Sequence, residues 1–228
     1  MDIVLCHTTA YRYWCGSTSL RNGITPTRRI LGMTEPLELT SALVEELAAI
    51  GIAHSADRPL DVLFADASLR KRSRLVSSHV WAGRLPAGSL IRVSEHVLVA
   101  SAELAFAQVG EVFAPERAVL AGCELASRYA VADDGVIPRD PLTSSAELAA
   151  FAKCFSGERS RAVELAGRVL DGAADPLQAK VALMLCLPST RGGYRIARPE
   201  LAADGSLVWA REGLRVRLSD EAGAQVNA

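Results

Sequence analysis

Residues 172–188 read GAADPLQAKVALMLCLP, and their reading decides what the second half of the chain is. Asp175 stands immediately before Pro176, an N-cap followed by the residue whose missing N–H is harmless in a first helical turn. From there Leu177, Val181, Met184 and Leu185 recur at helical spacing, so a helix is expected over 176–187. Cys186, inside Leu183-Met184-Leu185-Cys186-Leu187, is expected as core packing. Those apolar side chains need a surface to cover them, which self-association or a protein partner would supply.

Working outward, helical periodicity continues upstream over 102–112, 115–129, 144–155 and 159–171, with Pro115 and Ser145 as further start signals. Between them, 132–143 holds Asp133-Asp134-Gly135, Pro138 and Pro141 and reads as a linker. Earlier still, 60–65, 75–81 and 89–100 read as strands, the last interrupted at Ser94-Glu95-His96 and therefore a hairpin. Leu39, Leu43, Leu47 and Ile50 mark a helix with Glu45 and Glu46 outside, ended by Gly51. At the start, a short apolar segment leads into a helix with His7-Thr8-Thr9 offering hydroxyl caps and Arg12 on the exposed side. Residues 16–36 carry no apolar periodicity and read as a loop, and the end offers at most a hairpin, 207–209 with 214–217, before a tail from Ser219. An α+β class follows: 1–131 with a small mixed or antiparallel sheet, a linker over 132–143, and a helical segment over 144–228 with a terminal hairpin.

Composition narrows the function classes. At 228 residues, 50% hydrophobic and 22% charged, the chain is ordinary for a globular protein, and a formal net charge of −1 offers nucleic acid no summed attraction. Any such contact must come from a local patch. No stretch approaches a membrane span, and the first apolar run, Ile3-Val4-Leu5-Cys6, is shorter than a signal core, so no membrane and a cytoplasmic location are expected. Five scattered cysteines without a C-x-x-C pair fit free thiols.

The strongest local patch is Arg70-Lys71-Arg72-Ser73-Arg74, between two expected strands. It reads either as a solvated turn or as a clasp on a phosphate backbone or an acidic partner, with Arg28, Arg29 and Arg84 on other loops able to extend it. Without interleaved aromatics, contact with duplex DNA is the better version than stacking on single strands. His7, His79 and His96 with Cys6 and Cys15 contain the atom types of a zinc site, but no pair has ligand spacing, so no metal is expected. Cys6 and His7 are neighbours whose side chains would diverge on a strand, which leaves no nucleophilic pair. Asp133 and Asp134 read as an exposed turn. No catalytic residue is nominated.

The helix opening Asp175-Pro176-Leu177-Gln178 resembles that of the PD-(D/E)xK, or restriction-endonuclease-like, group, near its very-short-patch-repair-endonuclease-like members and in the actinobacterial branch close to AbiEi-type antitoxins. So do Cys6-His7-Thr8-Thr9-Ala10 with Arg12-Tyr13-Trp14, His79-Val80-Trp81 with Gly83, Leu85-Pro86-Ala87-Gly88, Gly122-Cys123-Glu124-Leu125 and Pro141-Leu142-Thr143-Ser144. The resemblance implies a helix carboxylate where this chain has Gln178, and later strands bearing Asp and Glu-x-Asp/Lys, which 201–228 does not carry. Phosphodiester cleavage in that group needs Mg2+ held by clustered carboxylates. The chain is therefore expected to be a non-catalytic relative with a truncated nuclease-like region and no cofactor, acting as a DNA-binding or protein-binding component of a defence or toxin-antitoxin-type system. Under the alternative, a Mg2+-dependent endonuclease whose catalytic strands lie outside this sequence or come from a partner, magnesium would be required. A relic without function is the remaining alternative.

Overall fold

A computed structural model describes residues 2–17, 33–70, 73–132, 135–196, 199–202, 206–211, 214–218 and 225–227. Its centre is strand β1 (Ile3–Leu5), three apolar residues with no exposed face. On one side β1 pairs antiparallel with β2 (Leu60–Phe64), which pairs in parallel with β3 (Val76–Val80) through a crossover containing a 3-10 turn, Ala67–Leu69. On the other side β1 runs parallel to β5 (Val97–Ala100), which closes a hairpin with β4 (Leu90–Arg92) around the expected Ser94-Glu95-His96 interruption. The order is β3-β2-β1-β5-β4, a mixed five-stranded sheet.

Those directions place the ends of β1 and β5 and the beginnings of β2 and β3 at one end of the sheet. Two helices start there. Helix α1 (His7–Gly16) leaves β1, and α3 (Ala102–Val112) leaves β5 behind an N-cap in which Ser101 Oγ accepts from Leu104 N. The intervening helix α2 (Ser41–Ala49) buries Leu43 and Leu47 in the same core. Its Glu46 does not stand free, as expected, but accepts from Ser94 Oγ and the His96 backbone N–H at the β4–β5 turn.

The helical half follows as α4 (Pro115–Leu125), α5 (Ser145–Ser156), α6 (Arg161–Ala166) and α7 (Pro176–Cys186). The helices expected over 115–129 and 159–171 are both shorter. After Leu125 the Ser127 hydroxyl donates to the Glu124 and Tyr129 carbonyls, turning the chain into hairpin β6 (Tyr129–Ala132) and β7 (Gly135–Pro138). That hairpin occupies much of the expected linker 132–143, of which Asp133 and Asp134 lie outside the described residues. Directly after it Arg139 is buried, donating to the Trp14, Ser17 and Glu124 carbonyls. One apolar cluster runs from Ile3 through Phe106 and Leu148 to Ala182, so sheet and helices share a core.

Helix α7 differs in which face it buries. Gln178, Ala179 and Ala182 are inside, whereas Leu177 is 69% and Met184 46% exposed. Small residues permit the close approach of α4, which the larger apolar side chains would prevent. Further on, β8 (Glu200–Leu201), β9 (Leu207–Arg211), β10 (Leu214–Leu218) and β11 (Gln225–Asn227) form an antiparallel sheet that extends the expected terminal hairpin. No helix among the described residues is long and apolar enough to cross a membrane.

Candidate functional site

An acid sits in an apolar strand. Asp61, second residue of Leu60-Asp61-Val62-Leu63-Phe64, is buried, and its backbone carbonyl accepts from Cys6 N at 2.9 Å where β1 gives way to α1. Its Oδ2 accepts from Thr9 N at 3.1 Å, Thr9 Oγ1 at 3.2 Å and Thr8 Oγ1. Thr9 Oγ1 in turn accepts from Asp61 N at 2.8 Å. Helix α1 has no side-chain cap from its own N-cap residue Cys6, so Asp61 is the cap, its negative charge set against the positive end of the helix. The Thr8 and Thr9 hydroxyls thus bond to β2 rather than to their own helix as expected.

The other carboxylate oxygen, Oδ1, lies 2.8 Å from His79 Nε2 on β3, with Ser77 Oγ 3.3 Å from the same nitrogen. A carboxylate only accepts, so Nε2 carries a proton at this contact, and Nδ1 is the ring's other nitrogen. The His7 ring stacks on His79 with centroids 3.6 Å apart and planes 17° apart. His7 opens the helix at φ 46°, a left-handed conformation uncommon for a residue with a side chain, and its N–H donates to Gln108 Oε1 at 2.9 Å on α3. Its Nδ1 is 3.3 Å from Cys6 Sγ. The expected divergence of Cys6 and His7 therefore fails: the strand ends at Leu5, and the left-handed turn at His7 brings the two side chains to one side.

These environments set the charges. Burial pushes the His7 imidazole down to about 4, the neighbouring His79 adds to the effect, and Asp61 only partly opposes it. Burial, then the Asp61 charge, raises the Cys6 thiol well above its usual range. For Asp61 burial works upward, but hydrogen bonds from His79 and Thr8 and attraction to both imidazoles outweigh it, leaving the carboxyl below its usual value. At neutral pH the site holds a carboxylate, a neutral His7 and a thiol.

Cations gather at the same end of the sheet. Arg58 precedes β2 and Arg74 precedes β3, each two residues before the paired positions Leu60 and Val76, while Arg12 is on α1. Arg12 and Arg58 flank a 50 Å³ pocket with Thr9, Tyr13, Gly51, Ile52, Ala53 and Pro59. Burial lowers the Arg12 guanidinium, repulsion from Arg58 lowers it further, Asp61 pulls the other way, and Arg117 repels again. Among the described residues none of Arg12, Arg58 and Arg74 has a carboxylate within ion-pair distance.

The residues nominated from sequence divide. Arg70 and Arg74 are exposed, Arg70 ending the 3-10 turn of the crossover, while Lys71, Arg72, Arg28 and Arg29 lie outside the described residues. Gln178 is buried in a capping arrangement at α7: its N–H donates to Asp175 Oδ1 at 2.8 Å and its Oε1 accepts from Ala174 N at 2.6 Å. Of the five histidines and cysteines weighed for zinc, the structure joins Cys6, His7 and His79, whereas His96 lies near Asp2 and Glu95, and Cys15 faces Glu124. Sequence reasoning misses Asp61, although a lone carboxylate inside an apolar strand is a legible signal.

No protein-family model matches the chain, and neither does any curated protein or solved structure compared with it.

Proposed function

We propose that the chain grips the phosphate backbone of duplex DNA with the cationic end of its five-stranded sheet, as a non-catalytic component of a defence or toxin-antitoxin-type system. The observation that carries the binding is that Arg12 and Arg58 flank one pocket beside the start of α1, with Arg74 preceding β3 at the same end of the sheet, and that none of the three has an acidic partner among the described residues. Guanidinium groups so placed suit phosphate oxygens, and a chain of net charge −1 needs such a local patch. Arg70 lies on the crossover that leads to Arg74. The system assignment rests on the resemblance of the sequence segments.

Fluorescence anisotropy with a labelled duplex across a salt series tests the reading. Binding should weaken steeply with salt, and each guanidinium–phosphate pairing removed by changing Arg12, Arg58 or Arg74 to Ala should lower the slope by about 0.9. An identical slope in the triple variant, or no duplex binding at low salt, overturns it. Salt-sensitive capture of an acidic protein in place of DNA would move the same patch to a protein partner.

A further inference from the structure

We propose that Cys6, His7 and His79 bind one borderline-soft divalent metal ion of the zinc and cobalt class, with Asp61 orienting His79. Their donor atoms all lie within 4.8 Å of one another. One pair, Cys6 Sγ and His7 Nδ1, is separated by 3.3 Å. Two ligands of one tetrahedral zinc, a thiolate and an imidazole, stand about 3.5 Å apart, so this pair is already at chelating distance. Thiolate plus two imidazoles selects zinc or cobalt over magnesium or calcium, which take oxygen.

The third donor is prepared in the manner usual for metal-binding histidines. Asp61 Oδ1 and Ser77 Oγ hold His79 Nε2, which fixes the ring and leaves Nδ1 for the ion. Asp61 cannot drift, because its other oxygen is anchored by Thr8 and Thr9. The left-handed φ of His7 points the same way. A helix start does not require it, yet it brings the His7 imidazole to Cys6 and His79, from where a turn of the ring can aim it at an ion shared by the three.

Face-to-face rings cannot both direct in-plane lone pairs at one ion, so binding requires one to turn. His7 is that ring: among the described residues Cys6 Sγ is the one hydrogen-bond partner of its ring nitrogens, whereas His79 is pinned by Asp61 and Ser77. Binding then forms one metal–sulfur and two metal–nitrogen bonds and releases the Cys6 thiol proton to solvent. Three protein donors leave a fourth position for water or an external ligand.

Cobalt(II) titration of the full chain, kept reduced without added thiols, tests the site. One equivalent should produce a sulfur-to-cobalt charge-transfer band in the near ultraviolet and visible bands of tetrahedral intensity. Cys6→Ser should remove the first band, His79→Ala should abolish tight binding, and Asp61→Asn should weaken it about 10- to 100-fold. Cys154→Ser alters an exposed thiol and should change nothing. Should the site variants fail to fold, the unaltered chain still decides, because the cobalt form must show hyperfine-shifted proton signals from two imidazole rings. Absence of the sulfur band at saturating cobalt, its survival in Cys6→Ser, its loss in Cys154→Ser, or fewer than two shifted imidazoles each overturns the proposal.

Discussion

The Asp61 carboxylate lies 2.8 Å from His79 Nε2 and with its second oxygen holds the Thr9 N–H, so one side chain ties the start of α1 to β2 and β3. Asp61→Ala removes the helix cap on Thr9 N and the acceptor of three further donors, and should cost about 3 kcal/mol in urea unfolding. His79→Ala should cost about 1 kcal/mol, since its partner keeps the threonine bonds. The double variant should fall short of the sum by at least about 0.5 kcal/mol, because both substitutions remove the same bond. Strict additivity would show that the pair does not interact.

Gly122 on α4 has no room for a side chain. A Cβ there would meet Val169 Cγ2 at 2.3 Å and Phe106 Cε2 at 2.8 Å. In a free helix Gly→Ala stabilises by up to about 1 kcal/mol, but overpacking a closed core costs about 1–3 kcal/mol. Gly122→Ala should therefore destabilise, as measured by chemical denaturation, and a stabilised variant would mean that the core between α3 and α4 is looser than its contacts indicate.

Arg139 follows the β6–β7 hairpin and donates to carbonyls of α1 and α4, at 2.5 Å to Trp14, 2.7 Å to Glu124 and 3.2 Å to Ser17. A lysine keeps the charge but cannot span this fork, so Arg139→Lys should cost about 2 kcal/mol. For a chain of this size the thermal midpoint should drop by about 4–8 °C. An unchanged midpoint would make the hairpin the independent linker that its Pro and Gly content suggests.

Local signals are legible where structure is local. The Ser94-Glu95-His96 interruption predicts the β4–β5 hairpin, and Asp175-Pro176 the start of α7, because turn and cap chemistry lie within a few residues. The site is not, because Asp61 meets Thr8 and Thr9 only once β1 pairs with β2, and His79 meets Asp61 only once β3 lies beside it. Alternation rules for a strand also cannot anticipate a left-handed residue such as His7. On α7 periodicity picks out Leu177 and Met184 as a face in need of cover, and both are exposed, but it does not show that Ala179 and Ala182 make the buried face, since that depends on the shape of α4.

Acid sensitivity has a specific contributor in Glu46. Its carboxylate accepts from the His96 N–H and from Ser94 Oγ, and these bonds, in that order, outweigh slight burial and lower its pKa. The folded value lies below the unfolded one, so the stabilisation is complete above the unfolded carboxyl range and is lost as pH falls through the folded value. Glu46 is half-exposed, so solvent screening keeps the effect near about 1 kcal/mol or below. Glu46→Ala should lose about that much at neutral pH and nothing in strong acid, in urea unfolding across pH. A pH-independent loss would assign the effect to packing.

Gln178 separates a structural from a catalytic history of α7. Its Oε1 accepts from Ala174 N and its own N–H donates to Asp175 Oδ1, so its polar groups close the helix start. Gln178→Glu retains an acceptor there and adds negative charge at a helix N-terminus, which is favourable, but in a 6% exposed position, which is not. The two effects should leave stability within about 1 kcal/mol of the unaltered chain, whereas Asp175→Ala, which removes the cap, should cost about 1 kcal/mol. Neither the unaltered chain nor Gln178→Glu should cut plasmid or linear duplex with Mg2+ or Mn2+, because a single carboxylate does not make the clustered oxygen site that such cleavage requires. Metal-dependent cleavage by Gln178→Glu alone would place the remaining acids of a nuclease site in this chain.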